Sequence, residues 1–280
     1  MKYLIILVIC SLTSVTAITQ ADIEAEKDSI VNEAHRMYRS EMASWNGTDI
    51  LLPIMKDRRG DIAGYFSYPY KDSTRCVFFD KGTIPLTIAV ICFDTSYTAE
   101  HATIDAIPRK LDNYESSLYA IRAMALAEIS RDTIFKTYNN TNLNLVPIID
   151  SLGERVYVLT GPEQDGVIIF GNDYLLKFDS DNKLISKRAL HRNMMPAEYG
   201  KGKETSVGGV HTHLPETGDL ITATDICTLM LYEKFAKWQQ YMVISQRYVS
   251  IWDCNNNALF TLTREAWDRI SKDQGKRHKK

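Results

Sequence analysis

The order of strand-like and helical runs is what most constrains this 280-residue chain. β-Branched and aromatic runs at 50–55, 62–68, 75–79 and 86–93 are separated by Arg-Gly-Asp, Pro-Tyr-Lys-Asp and Lys-Gly-Thr turns, which predicts an antiparallel sheet. A second set follows at 155–160, 166–170, 174–178, 184–189, 242–245, 249–252 and 258–262. Helical spacing is confined to four places. Ile23, Ile30, Val31, Ala34, Met37, Tyr38 and Met42 mark an amphipathic helix ending at Asn46-Gly47; further helices are predicted over 114–129, 223–239 and from Arg264. No β-α-β unit recurs, so the pattern predicts an α+β fold, a mixed or antiparallel sheet flanked by helices, rather than a doubly wound sheet.

The polar, turn-prone stretch 138–145 is the expected boundary between halves. It divides the chain into a leader (1–17), an N-terminal α+β region (18–145), a C-terminal domain (146–271) and a basic disordered tail (272–280). The leader has a charged Lys2, an apolar run from Tyr3 to Cys10 and the small-residue site Val15-Thr-Ala17, the form of a cleaved export signal. It predicts a bacterial protein that is secreted or periplasmic, with lipid anchoring through Cys10 as the alternative. A 45% hydrophobic and 24% charged composition is that of a chain burying a substantial core, and a net charge of −2 gives no basic footprint for nucleic acid. No segment after the leader is apolar enough to be read as a transmembrane helix. Cys76, Cys92, Cys227 and Cys254 lack Cys-x-x-Cys spacing; Cys76 and Cys92 lie on neighbouring predicted strands, either paired or as buried free thiols.

The chemistry concentrates in His211-Thr-His213 and Thr222-Ala-Thr-Asp225. Residues two apart on a strand share a face, so both imidazoles can converge on a point to which Asp225 returns from the next helix. The same residues also suit a hydrogen-bonded histidine pair and an ordinary helix start, with Thr222 as N-cap and Asp225 in the first turn.

With Pro215 nearby, a helix after Thr222-x-x-Asp225 and strands after that helix, this arrangement resembles the signature of the JAB/MPN (JAMM) metalloproteases, His-x-His-Pro followed by Ser-x-x-Asp. The likeness covers the C-terminal half. It implies a cytidine-deaminase-like topology there and a zinc ion held by His211, His213 and Asp225 with water as the fourth ligand. Glu154 is the implied general base: with Gly161 it keeps the spacing of the family's Glu-x-x-Gly-x-x-x-Gly pattern, Tyr157 standing at the intermediate glycine, and Glu163 is the second carboxylate in that window. Thr222 is implied as the oxyanion donor. The activity implied is hydrolysis of an amide or isopeptide bond in a peptide or protein; the alternative is a catalytically inactive binding or assembly module at the cell envelope. The loop 200–209, rich in Gly and Lys, is placed to cover the cleft.

Other residues are read as structural. His191 suits a surface loop or a contact beside the site, and 161–166 and 170–174 are turns. Tyr232, Phe235, Trp238 and Tyr241 suit helix packing, and Trp252 and Trp267 the same.

Overall fold

A computed structural model describes residues 20–200 and 207–277. The predicted leader, Cys10 and most of the 200–209 loop lie outside the described residues.

The protein is α+β, with several antiparallel sheets flanked by helices. Helix α1 (Gln20–Ile54) leads through a short 3-10 turn into the first sheet, which follows sequence order: β1 (Ile62–Tyr70), β2 (Ser73–Asp80), β3 (Thr87–Phe93) and β4 (Thr103–Asp105). Helix α2 (Asn113–Ile129) packs between this sheet, through Leu118, and the next, through Ile121 and Ala125; it is started by a capping box in which Asp112 and Glu115 satisfy each other's backbone N–H. A second antiparallel sheet takes β5 (Thr141–Asp150), β6 (Gly153–Pro162), β8 (Tyr174–Phe178) and β9 (Leu184–Ala189) in that spatial order. Between β6 and β8 runs β7 (Val167–Gly171), which pairs instead with β10 (Met194–Glu198). The last sheet holds β11 (Gly208–Thr212), β12 (Gln240–Ile244), β13 (Tyr248–Asp253) and β14 (Ala258–Thr263), and helix α4 (Arg264–Arg277) closes the chain. β11 and β12 are parallel, joined through helix α3 (Ala223–Ala236), while the remaining pairs are antiparallel.

Several sequence expectations are corrected. Residues 50–55 are not a strand: α1 runs through Asn46-Gly47 to Ile54, because Asn46 Nδ2 bonds back to the Met42 carbonyl at 2.8 Å and Leu51 is buried against the first sheet. The boundary at 145/146 falls inside β5, whose alternating Asn and Leu form the outer strand of the second sheet, where Pro147 is tolerated. Lys272 to Arg277, expected as a disordered tail, continue α4. Cys76 stands opposite Ile91 and Cys92 opposite Arg75, so these neighbouring registers put the two thiols on opposite faces of the sheet, and all four described cysteines are free.

Helix α1 does not belong to one half. It contacts β1, β2 and β3 on one side and β5 and α3 on the other. Ala43 and Leu51 join the core under the first sheet, Met37 packs with Val146, Tyr157 and Leu175, and Ala34 reaches the core that holds Ile168, Phe170, Ile226 and Trp252. None of the described helices is long and apolar enough to cross a membrane.

Candidate metal centre

β11 ends at the site. His211 is buried while its neighbours Val210 and Thr212 are exposed, and His213, just past the strand end, is buried again, with its N–H donating to the Ile244 carbonyl at 2.9 Å. The period of two therefore turns both imidazoles inward. Asp225 arrives on the first turn of α3, where it completes a capping box with Thr222: the Thr222 hydroxyl accepts from the Asp225 N–H, and Asp225 Oδ2 accepts from the Thr222 N–H at 3.1 Å. The capping role of Asp225 does not turn its carboxylate away from the histidines, since Oδ2 also lies 3.1 Å from His213 Nε2.

The fourth member is His191, from the connection between β9 and β10, a position that the sequence assigns to a surface loop or to a contact beside the site. His191, His211, His213 and Asp225 each present one donor atom, all within 4.8 Å of one another, and all four residues are buried. His191 Nε2 lies 3.3 Å from His213 Nε2 and 3.4 Å from Asp225 Oδ2; His213 Nε2 is 3.1 Å and His211 Nε2 3.7 Å from the same carboxylate. A tetrahedral site with bonds of ~2.05 Å has edges of about 3.3 Å, so these separations suit a single small cation.

Each imidazole is held from behind. His213 Nδ1 donates to the Leu220 carbonyl at 3.0 Å, which leaves Nε2 as the lone-pair atom. His191 Nδ1 bonds Asp173 Oδ1 at 2.7 Å, and the other Asp173 oxygen accepts from the Thr224 hydroxyl. His211 Nδ1 meets the Tyr241 hydroxyl at 3.2 Å, and its ring lies against the stacked Phe170–Tyr241 pair. Two glycines permit this. A Cβ on Gly209 would lie 2.5 Å from the Tyr241 ring, and one on Gly171, where φ is +73°, would lie 2.2 Å from the Asn193 carbonyl oxygen and 3.2 Å from the His191 Cβ.

The electrostatics leave this group incomplete without a cation. His211 Nε2 and Asp225 Oδ1 are buried and make no hydrogen bond among the described residues. Burial, with the adjoining His213 and His191, pushes His211 down to about 4, so it is neutral and ready to donate a lone pair at neutral pH. Burial alone would lower His191 too, but the Asp225 charge and the Asp173 hydrogen bond carry it up to about 11. Burial opposes the charge on Asp225, yet the surrounding imidazoles hold its carboxyl well below the ordinary value. In the ion-free state a proton on His191 thus supplies the positive charge that a metal would otherwise bring.

Of the residues expected to act, the structure groups His211, His213 and Asp225 but not Glu154. Glu154 opens β6 opposite Phe178, next to Asp179 and within 3.2 Å of the Asn182 amide when that amide is turned to donate. Asp173 lies beyond the other end of β8, five residues from Phe178, so the strand rise puts Glu154 roughly 15 Å away along the sheet. Thr222 is adjacent, but its hydroxyl donates to Asp225 Oδ2 at 2.7 Å and lies 2.9 Å from the Thr224 hydroxyl. It positions the carboxylate. Asp173 was missed because it sits in the 170–174 turn, where no periodicity marks it.

A scan against protein-family models finds no match for this chain, and neither the curated proteins nor the solved structures contain one.

Proposed function

We propose that the C-terminal half is a JAB/MPN-like domain that binds one zinc ion on His191, His211, His213 and Asp225, and that it serves as a metal-stabilised binding or assembly module. Support for the domain type comes from the signature residues together with the β11-α3-β12 crossover that follows the histidines. One observation carries the functional reading: His191 supplies a fourth buried donor where the family resemblance implies a water. Four protein donors of this kind make a closed site, and three nitrogens with one carboxylate oxygen suit zinc better than calcium or magnesium. The test is metal analysis of the purified chain. One zinc per chain is expected, lost in Asp225→Ala, with no turnover of peptide or isopeptide libraries; efficient turnover by the zinc-loaded protein would refute the module.

A second reading is favoured by the Asp173–His191 pair. If only His211, His213 and Asp225 hold the metal, the chain is a zinc-dependent peptidase or isopeptidase, and bound zinc would supply a water acidic enough to attack an amide at neutral pH. With zinc offsetting the Asp225 charge, His191 would give up the proton it carries in the ion-free state, and its Nε2 would accept a proton from the water and return it to the leaving amine, the role expected of Glu154, while Asp173 would fix the ring and stabilise the imidazolium. His191→Ala separates the two readings. The closed centre predicts that zinc is lost; the hydrolase predicts that zinc is retained and turnover disappears. Export to the periplasm or cell surface accords with either reading, and a blocked leader that leaves the protein's location unchanged would argue against it.

A further inference from the structure

Away from the metal group, Trp45 of α1 and Tyr232 and Phe235 of α3 form an aromatic wall. The Trp45 ring stacks on Phe235 with centroids 6.0 Å apart and tilts against Tyr232 at the same distance. Phe235, read from the sequence as helix packing, is 58% exposed, and Trp45 is 40% exposed. The wall borders a cleft of about 190 Å³ whose opposite side is the turn between β6 and β7, with Tyr199 at its end. That turn brings Glu163 and Asp165 to the cleft, both exposed, and no basic residue among the described residues lines it. Neither carboxylate forms an ion pair with the described residues.

We propose that this cleft binds the ammonium group of a lysine side chain presented by a partner peptide or protein. Aromatic faces attract a cation through the ring quadrupole, most strongly at Trp, and two exposed carboxylates add a field of the same preference. The cleft falls below the roughly 300–1,000 Å³ of drug-sized ligand sites, so it fits the tip of a side chain. A compact ammonium on a flexible apolar stem matches it, with the stem along the rings and the charge at the carboxylates. The site does not depend on the metal: it gives the chain a recognition surface whether or not His191 ligates.

The test is a fluorescence-anisotropy titration of a labelled short oligolysine peptide with the full chain. Saturable binding is expected, weakened about tenfold by Trp45→Ala and severalfold by the surface pair Glu163→Gln/Asp165→Asn, and falling as salt rises. The surface pair keeps the proposal testable if the tryptophan variant does not fold. Equal affinity for an oligoglutamate peptide, or unchanged binding in the Glu163/Asp165 variant, overturns it. Equally tight binding of an oligoarginine peptide overturns the assignment to ammonium. Binding that tightens in Lys201→Ala/Lys203→Ala would assign the cleft to the chain's own lysines and overturn an external partner.

Discussion

Two buried polar groups in this protein differ in one respect. Around Arg155, the charges close on themselves: its guanidinium bonds both oxygens of Glu33 and both oxygens of Asp150, and Arg36 adds contacts of 3.1 Å to Glu33 and 3.2 Å to Asp150. Around Asp225, three imidazoles face one carboxylate and two donor atoms are left over. The first group has no unused capacity and clamps α1 to β6. The second keeps donor atoms close about a common centre, and it is this surplus, rather than buried polarity as such, that marks a candidate metal site.

Metal removal should break the symmetry between the two groups most strongly. Zinc at a thousandfold above its dissociation constant stabilises by about 4 kcal/mol, so stripping the chain with a chelator should lower its melting temperature by roughly 10 °C; calorimetry that shows no change would mean the histidine group holds no structural ion. Next, Arg155→Ala should cost about 3 kcal/mol, since it strands buried Glu33 and partly buried Asp150. Denaturant titration checks this, and the variant should keep its full zinc content. Asp173→Asn removes a charge from behind His191 and should weaken zinc about tenfold in competition with a chelating dye.

The pH responses should also diverge, by the smallest margin. Burial would raise the Glu33 carboxyl, but Arg155, Tyr157 and Arg36 hold it below its ordinary value, and Arg155 does the same for Asp150. Carboxylates depressed in the folded state stabilise above their unfolded pKa and lose that contribution as pH falls through the folded value, so this cluster should weaken only in acid. At the histidine group, a metal must displace the proton that Asp225 and Asp173 hold on His191, so apparent zinc affinity should rise with pH across the neutral range, with proton release visible in lightly buffered calorimetry. An affinity that is flat between pH 6 and 8 would remove His191 from the ligand set.

What was legible in the sequence follows the same division. His211 and His213 could be read because a strand's period of two is local, and Asp225 because a helix start has its own grammar in Thr222-x-x-Asp225. His191 and Asp173 could not: each sits in an irregular connection, and they meet only because β7 leaves the sheet of β6 and β8 to pair with β10. Glu154 shows the converse failure, a spacing that fits a known pattern on a strand whose register carries it elsewhere. Most strands were visible as β-branched runs, but β5 was hidden by its asparagines, and the last two turns of α1 by Asn46-Gly47, where burial of Leu51 outweighs local preference.

The span of α1 has a consequence for biosynthesis. Ala34 of this helix packs against Ile226 and Trp252, which follow it by 192 and 218 residues in the chain. The apolar face around Ala34 stays without those partners while the intervening sheets are made, and its final docking must wait until β13 has been synthesised.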